Sequence, residues 1–249
     1  MSAPLFVIDP ALAARAEVDA EVVLDGAEGR HAVSVARLSP GERLDLGDGA
    51  GLVLEAVVTG TEGSDRLIAR VEAIQHTPPS RPLVVVVQAL PKGERGEAAV
   101  QTLTEVGVDE IVPWQAERSI ARWVGDRAKR GHEKWVSAAR AAGKQSRRAR
   151  FPVVGTLADG AAVERRIRKA VTALVLHEEA TARLHGVNLP ADGEVLLIVG
   201  PEGGVSAAEL TRFTEAGAVP VRLGPSVLRT STAGTVAAGI VLSRTARWS

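Results

Sequence analysis

A strand that runs into a glycine-rich loop is the first feature of the sequence that could do chemistry. Val195–Val199 is an uninterrupted apolar run, and it leads directly into Gly200-Pro201-Glu202-Gly203-Gly204. Ser206 follows and Glu209 stands three residues later, which is the spacing of a helix-capping box. Glycines between a buried strand and a helix N-terminus let backbone N–H groups approach a ligand closely. The segment predicts either a ligand-binding loop or a tight strand-to-helix turn without a ligand.

A second segment of the same kind lies further along the chain. Leu223–Gly234 follows a predicted strand and precedes a predicted helix. Val227 and Leu228 offer apolar walls, and Arg229 offers a planar cation, although composition alone favours a solvated loop charge at Arg229. Two such loops at the carboxyl edge of one parallel sheet would form a pocket. We therefore expect a binding site between these loops.

Several other chemistries find no support in the sequence. The glycine-rich loop is neither G-x-G-x-x-G nor a phosphate loop ending in G-K-[ST]. The chain has no cysteine, which excludes disulfides, thiolate zinc sites and cysteine nucleophiles. The histidines show no metal-binding spacing; they are His31, His76, His132, His177 and His185. We expect no metal ion.

Length and charge bound the possible organisation. The chain has 249 residues, enough for two domains. Lys plus Arg and Asp plus Glu number 30 each, so binding to nucleic acid would depend on local basic patches rather than on net charge. The N-terminus resembles no signal peptide, and the apolar runs are too short to span a membrane. We expect a cytoplasmic protein without a membrane segment.

The first 74 residues predict a small β-barrel. Short strands are separated by glycine-rich turns, and the predicted strands are Glu21–Leu24, Arg43–Leu46, Gly51–Val58 and Arg66–Val71. His31–Leu38 predicts a short helix that Pro40 ends. Residues 75–82 contain three prolines and predict an interdomain linker.

Residues 83–249 alternate between strand and helix periods, which is typical of a parallel sheet with crossover helices. The predicted strands are Leu83–Val87, Glu110–Trp114, Ala173–His177, Val195–Val199 and Val219–Leu223. Leu83–Val87 is continuously apolar, which predicts a strand buried on both faces. The predicted helices are Glu94–Val106, with Gly107 as its C-terminal cap, Asp126–Gln145, Ala207–Gly217 and Thr232–Arg247. Arg165–Lys169 predicts an exposed helix face.

The two loops, together with motifs elsewhere, carry a resemblance to a known family. The loop motifs are Gly200–Ser206, Leu223-Gly224-Pro225 and Leu228-Arg229-Thr230. The other motifs are Arg30–Ala32, Arg37-Leu38, Ala89–Glu94, Glu105–Val108, Glu117–Ser119, Lys134-Trp135 and Gln145-Ser146. In this combination, over nearly the whole chain, the sequence resembles the RsmE family of SPOUT-class methyltransferases.

The resemblance implies an α/β fold in which a C-terminal parallel-sheet SPOUT domain with a trefoil knot is preceded by a small PUA-like β-barrel domain. It implies S-adenosyl-L-methionine as the cofactor. It implies that the substrate is small-subunit (16S) ribosomal RNA within an assembled subunit and that the methyl group is added to N3 of a uridine. It also implies a homodimer. The implied domains are residues 1–74 for RNA binding, a linker at 75–82 and residues 83–249 for methyl transfer. The implied cofactor-binding residues are Leu176, Gly200, Pro201, Gly203, Leu223, Gly224 and Leu228.

Chemistry suggests one catalytic residue. Uracil N3 must lose its proton at or before attack, so an anion develops on the ring. Our hypothesis is that Arg229 stabilises that anion. For RNA binding, the resemblance favours Arg30, His31 and Arg37, and a basic run at the end of a helix adds Arg147 and Arg148, which could also be a solvated helix end.

Two alternative functions remain open on the sequence. A related SPOUT enzyme could modify transfer RNA, and the PUA-like domain with Leu228-Arg229-Thr230 favours the ribosomal substrate. A noncatalytic RNA-binding or ribosome assembly factor is the other alternative. The presence of both glycine loops argues against it, because a protein without cofactor would have little need of them.

Overall fold

The computed structural model describes residues 3–248, which divide into two compact units. The first unit consists of the described residues up to Pro79 together with Gly143–Phe151. The second consists of Ser80–Ala142 and the described residues from Pro152 onward. No helix within residues 3–248 is both long and apolar enough to cross a membrane.

The first unit is built on one sheet. Its strands are β1 (Leu5–Val7), β2 (Glu21–Leu24), β3 (Arg43–Gly47), β4 (Leu52–Glu62) and β5 (Arg66–His76), in the order β1-β3-β4-β5-β2. Neighbouring strands are antiparallel except for the parallel pair β1 and β3. Alternate residues of β4 are buried, as expected for a strand with one face on a core. The predicted strands are confirmed, and β1 was missed.

The helical part of this unit differs from the prediction. The helices are α1 (Pro10–Ala13) and α2 (Gly26–Arg30), and a π-helical turn, His31–Val35, continues α2. The predicted helix over His31–Leu38 was therefore wrong at both ends. The helix starts earlier, at Gly26, directly after Asp25, whose backbone is extended and whose side chain makes no capping hydrogen bond. It ends before Leu38 because Arg37 has a φ of 55°, which leaves the helical region.

Gly143–Phe151 was predicted within the C-terminal domain, but the structure places it in the first unit. Backbone hydrogen bonds join it to the loop before β4: the Gly51 N–H donates to Ala149 O at 3.0 Å, and the Phe151 N–H donates to Gly49 O at 2.8 Å. Lys144 Nζ also lies 2.6 Å from a Glu28 carboxylate oxygen. These contacts join residues far apart in sequence, so local patterns carry no sign of them.

The second unit contains a parallel sheet, as predicted. Its strands are β6 (Leu83–Ala89), β7 (Glu110–Trp114), β8 (Val153–Val154), β9 (Thr172–Leu176), β10 (Glu194–Val199) and β11 (Val219–Val221). They lie in the order β11-β9-β10-β6-β7-β8, and every pair is parallel. The carboxyl ends of the strands therefore share one edge.

Helices cover both faces of this sheet. They are α3 (Arg95–Val106), α4 (Asp126–Gln145), α5 (Gly160–Ile167), α6 (Ala207–Glu215) and α7 (Thr230–Ser243), and a 3₁₀ turn spans Leu184–Gly186. The last residues of α4 fall in the segment Gly143–Phe151. Alternate residues of β6 enter two apolar cores: Val84 and Val86 pack with residues of α3 and α7, and Val85 and Val87 pack with residues of α5 and α6. The prediction that this apolar run is buried on both faces is confirmed.

Gly107 ends α3 with a φ of 107°, a left-handed conformation that suits glycine, so the predicted C-terminal cap is confirmed. α7 begins at Thr230, earlier than predicted, because Arg229 is already its N-terminal cap residue. β8 and α5 complete the sheet and its covering layer; only the end of α5 was anticipated, as an exposed helix face.

Arg166 departs from that prediction. Its guanidinium donates to Glu110 Oε1 at 2.6 Å and to Glu194 Oε1 at 3.0 Å, and these three side chains are 27%, 26% and 23% exposed. Burial acts to lower the pKa of Arg166, but hydrogen bonds and charges from both glutamates outweigh burial and raise it. The group therefore joins α5 to the starts of β7 and β10.

We predict that Arg166→Ala lowers the free energy of unfolding by about 2 kcal/mol, because two partly buried carboxylates lose their shared cation. Chemical denaturation would measure the loss. Arg165→Ala is the matched control, since Arg165 is exposed on the same helix, and it should stay within about 0.5 kcal/mol of the wild type. Equal stability of the two variants would contradict a structural role for Arg166.

Candidate functional site

A cavity of about 330 Å³ lies at the carboxyl ends of β9, β10 and β11. Three segments line it: Leu176–Glu178 after β9, residues from Val199 to Val205 after β10, and residues from Val221 to Ala233 after β11. Parallel pairing brings these strand ends together. The prediction that the two loops meet in one pocket is confirmed.

The predicted cofactor-binding residues are placed as follows. The lining includes Leu176, Gly200, Pro201, Leu223, Gly224 and Leu228, together with the predicted catalytic Arg229. Gly203 is not part of the lining. A Cβ atom on Gly203 would lie 3.2 Å from Cβ of Arg118, so this glycine faces a neighbouring segment rather than the cavity.

The glycine-rich loop folds tightly upon itself. A Cβ atom on Gly200 would lie 2.9 Å from Val205 Cγ2, closer than Cβ atoms approach in real proteins, and 3.1 Å from the Val205 nitrogen, which is a tight contact. Gly204 has a φ of 72°, a backbone conformation that residues other than glycine rarely adopt. The glycines thus allow the loop to fold back closely on itself. Because they carry no side chains, the loop lines the cavity with backbone atoms.

A buried carboxylate holds the start of α6 behind this loop. Glu209 is 1% exposed and accepts from the Ser206 N–H at 3.0 Å, while the Glu209 N–H donates to Ser206 Oγ at 3.1 Å. The predicted capping box is therefore confirmed. The second oxygen of Glu209 accepts from the Glu117 N–H at 2.8 Å, which ties α6 to the loop after β7.

The loop after β7 also reaches the glycine-rich loop directly. Arg118 Nη1 donates to Gly203 O at 3.0 Å, and Ser206 Oγ donates to Glu117 Oε2. Glu117–Ser119 contributed to the family resemblance, but the sequence predicted no role for it. Because these contacts bridge about ninety residues of sequence, spacing carries no signal for them.

Glu202 is held by the loop after β6. Its Oε1 accepts from the Lys92 N–H at 3.2 Å and lies 3.5 Å from an Arg95 guanidinium nitrogen. The side chain is 28% exposed and belongs to the cavity lining. Glu202 is therefore a positioned carboxylate at the cavity wall.

Arg229 also belongs to the cavity lining. It is the N-terminal cap residue of α7, and its carbonyl accepts from the Thr232 and Ala233 N–H groups. Its side chain is exposed, and within residues 3–248 no carboxylate lies close enough to pair with it. The next residue, Thr230, is buried, and its carbonyl accepts from Gln88 Nε2 at 3.3 Å. The backbone at Arg229 is fixed while its cation is available to an anionic group.

Sequence reasoning missed two side chains of the lining, His177 and Glu178. Both directly follow β9, and His177 Nδ1 accepts from the Glu179 N–H at 3.3 Å. Position after a strand of the parallel sheet is the signal that could have identified them. Glu178 adds a carboxylate that can accept a proton.

The five residues predicted to bind RNA all belong to the first unit; they are Arg30, His31, Arg37, Arg147 and Arg148. Arg30, His31, Arg37 and Arg147 are exposed. The His31 ring packs edge-on against Phe6 at 5.5 Å. Burial raises the pKa of the Asp45 carboxyl, the charge of Glu55 raises it further, and the charge of Arg147 acts in the opposite direction.

Family comparisons cover both units. The model of an RNA methyltransferase domain matches residues 78–242, and the model of an RNA methyltransferase PUA domain matches residues 24–72. The chain is 47% identical to the ribosomal RNA small subunit methyltransferase E of Mycobacterium bovis, over 100% of this chain and 94% of that one. It is 30% identical to the protein of the same name from Bacillus subtilis, over 84% and 85% of the two chains.

Solved structures of similar proteins superpose on this chain over nearly its full length. A ribosomal RNA small subunit methyltransferase E from Neisseria gonorrhoeae, bound to S-adenosyl methionine, superposes with a TM-score of 0.84 at 26% identity over 98% of each chain. A Legionella pneumophila protein in complex with the same cofactor has a TM-score of 0.84 at 25% identity, over 98% of this chain and 99% of that one. The likeness thus extends over both units of the chain.

We predict that Glu209→Ala loosens the glycine-rich loop, because the Ser206 and Glu117 N–H groups lose their acceptor. The loss of stability should be about 2–3 kcal/mol. Hydrogen exchange would show faster exchange across residues 200–206. Glu215→Ala, at the exposed end of the same helix, is the control and should leave exchange in this loop unchanged. Wild-type exchange in Glu209→Ala would show that the carboxylate does not hold the loop.

Proposed function

The chain belongs to the family of ribosomal RNA small subunit methyltransferases E, and we propose that it transfers the methyl group of S-adenosylmethionine to N3 of a uridine in small-subunit (16S) ribosomal RNA. The observation that carries the proposal is the cavity at the carboxyl edge of the parallel sheet, with two glycine-containing loops as walls. Its lining includes Arg229, which pairs with no carboxylate in the described part of the chain. The similarity over the full chain to methyltransferases of this name supports the same substrate class.

The residues of the cavity fit S-adenosylmethionine. The cavity volume of about 330 Å³ falls within the range of small-molecule binding sites. Leu176, Leu223 and Leu228 offer apolar walls for a base, and the glycine-rich loop presents backbone rather than side chains. Glu178 and Glu202 are carboxylates that suit an ammonium group. When bound, the cofactor supplies a methyl group activated by its sulfonium.

Positioning would provide most of the rate enhancement, since methyl transfer needs alignment and the exclusion of water more than it needs many catalytic groups. The protein must hold the uracil edge at the cavity and manage the proton of N3. Glu178 and Glu202 are carboxylates in the lining that can accept this proton. Arg229 then stabilises the negative charge that develops on O2 and O4.

The first unit is proposed to bind the ribosomal RNA, through Arg30, His31, Arg37, Arg147 and Arg148. Support comes from the match of a PUA domain model to residues 24–72 and from the presence of all five residues in one compact unit. Such contacts would add affinity that falls with salt. Because the substrate is ribosomal RNA, we place the activity in the cytoplasm, on an assembled subunit.

We also propose a homodimer and a trefoil knot in the second unit. Val227, an apolar side chain of the cavity lining, is 78% exposed and would be covered by a second copy of the chain at this position. For the knot, support lies in the path of the chain after β11. β11 is at the edge of the sheet, whereas α7, which follows it, packs on α3, β6 and β10 in the middle.

We predict that Arg229→Ala lowers kcat by about 10²-fold at saturating RNA and cofactor, because the developing anion loses its cation. The measurement is release of 3-methyluridine from small ribosomal subunits incubated with methyl-labelled S-adenosylmethionine. Arg183→Ala is the control, since Arg183 is exposed on a neighbouring segment and does not line the cavity; it should retain wild-type turnover.

Unchanged kcat in Arg229→Ala would remove the proposed role of this residue. A wild-type protein that labels a nucleoside other than uridine would overturn the assignment of the substrate atom. No labelling by the wild type, under conditions where it binds the cofactor, would favour a noncatalytic RNA-binding protein.

A further inference from the structure

A second depression lies in the second unit, beside the cavity but over β6 and β7. This groove, of about 670 Å³, is formed by the loop after β6, the loop after β7, and the starts of α3 and α4. Its polar and aromatic lining consists mainly of Arg122, Trp123, Arg127, Arg130, Lys134 and Trp135. The groove therefore combines positive charge with indole rings.

The positive charge of the groove is not neutralised by carboxylates among residues 3–248. Arg122, Arg127, Arg130 and Lys134 are exposed, and within residues 3–248 none of them lies within 4.0 Å of a carboxylate oxygen. Glu97 is the one acidic residue among the described residues that line the groove. By contrast, Lys129 lies on the same helix outside the lining, and it pairs with Glu133 at 4.0 Å. The unpaired cations thus face a common space.

The two indole rings of the groove pack against each other and against helix backbone. Trp123 and Trp135 pack edge to face with ring centroids 5.2 Å apart; Trp135 is 2% exposed and Trp123 is half-buried. A Cβ atom on Gly131 would lie 2.4 Å from Trp123, and one on Gly96 would lie 2.8 Å from Trp135. Each indole therefore lies directly on helix backbone, which fixes Trp123 as a rigid, partly exposed surface.

The groove and the cavity are neighbours along one sheet edge. β10, which ends at the cavity, pairs with β6, which ends at the groove. Glu202 belongs to the cavity wall and accepts from the Lys92 N–H, and Lys92 lies between Pro91 and Gly93, which line the groove. A polymer lying in the groove would therefore lie beside the part of the cavity wall that contains Glu202.

We propose that this groove binds a single-stranded segment of the substrate RNA adjacent to the nucleotide that enters the cavity. Arg122, Arg127, Arg130 and Lys134 contact its phosphates, and Trp123 offers a face for one unstacked base. Grooves that hold single-stranded nucleic acid combine a basic track with aromatic stacking surfaces. The proposal rests on the proposed function, because it assigns a path to the same substrate.

The test compares two double variants that remove the same charge. Arg127→Gln/Arg130→Gln removes two cations from the groove, and Lys129→Gln/Lys169→Gln removes two exposed lysines outside it. The probe is a fluorescein-labelled single-stranded oligouridine of about ten nucleotides, a length within the site sizes of single-strand-binding folds. Fluorescence anisotropy would give its affinity at several salt concentrations.

We expect the groove variant to bind the probe about tenfold more weakly at low salt, with the slope of log K against log salt reduced by about 1.4, since each lost phosphate contact removes about 0.7. The lysine variant should follow the wild type. Trp123→Ala should weaken binding by about tenfold, whereas Trp123→Phe, which keeps an aromatic face, should stay within about twofold. Because the charge variants alter only exposed side chains, they decide the question even if Trp123→Ala fails to fold.

The outcomes separate this proposal from the proposed function. Weaker probe binding by the groove variant, with unchanged calorimetric binding of S-adenosylmethionine, supports the groove. Wild-type affinity and salt dependence in the groove variant overturn it, whether or not the protein methylates RNA. Absence of methyl transfer by the wild type overturns the proposed function, while the probe measurement still decides whether RNA binds here.

Discussion

Parallel pairing of β9, β10 and β11 is the constraint on which the site depends. Because these strands run in the same direction, the loops that follow them emerge at one edge and can enclose a single cavity. The side chains on both faces of the strands are apolar and are buried against helices, so they are not available to a ligand. Function is therefore confined to loops, and the same pairing continues through β6 to the neighbouring basic groove.

Loops at such an edge need support from outside their own sequence. Glu209 joins the start of α6 to the loop after β7, and Arg118 fixes the glycine-rich loop through the Gly203 carbonyl. Glu202 is held in turn by the loop after β6. Three strand-end loops are thus connected by hydrogen bonds, which keeps the backbone of the cavity in place before any ligand binds.

The sequence predicted local features well and long-range contacts poorly. The apolar run Val195–Val199, the Ser206 capping box and the glycine cap at Gly107 each depend on neighbouring residues, and each is confirmed. Other contacts join residues far apart along the chain, so the local hydrophobic pattern does not indicate them. They are the contacts of Glu117 with α6 and the hydrogen bonds that place Gly143–Phe151 in the first unit. Gly203 shows the same limit: its loop was predicted, whereas the side from which Arg118 approaches it depends on tertiary packing.

The central claim is that the loops after β9, β10 and β11 form the binding site for S-adenosylmethionine. Calorimetric titration of the purified protein with the cofactor tests it most directly, with Gly200→Val as the variant and Gly186→Val as the control. A side chain at Gly200 must displace Val205, whereas a Cβ atom at Gly186 meets no atom within 4 Å. We expect binding to the wild type and to Gly186→Val, and loss of binding in Gly200→Val. Undiminished binding by Gly200→Val, or no binding to the wild type at millimolar cofactor, would contradict the claim.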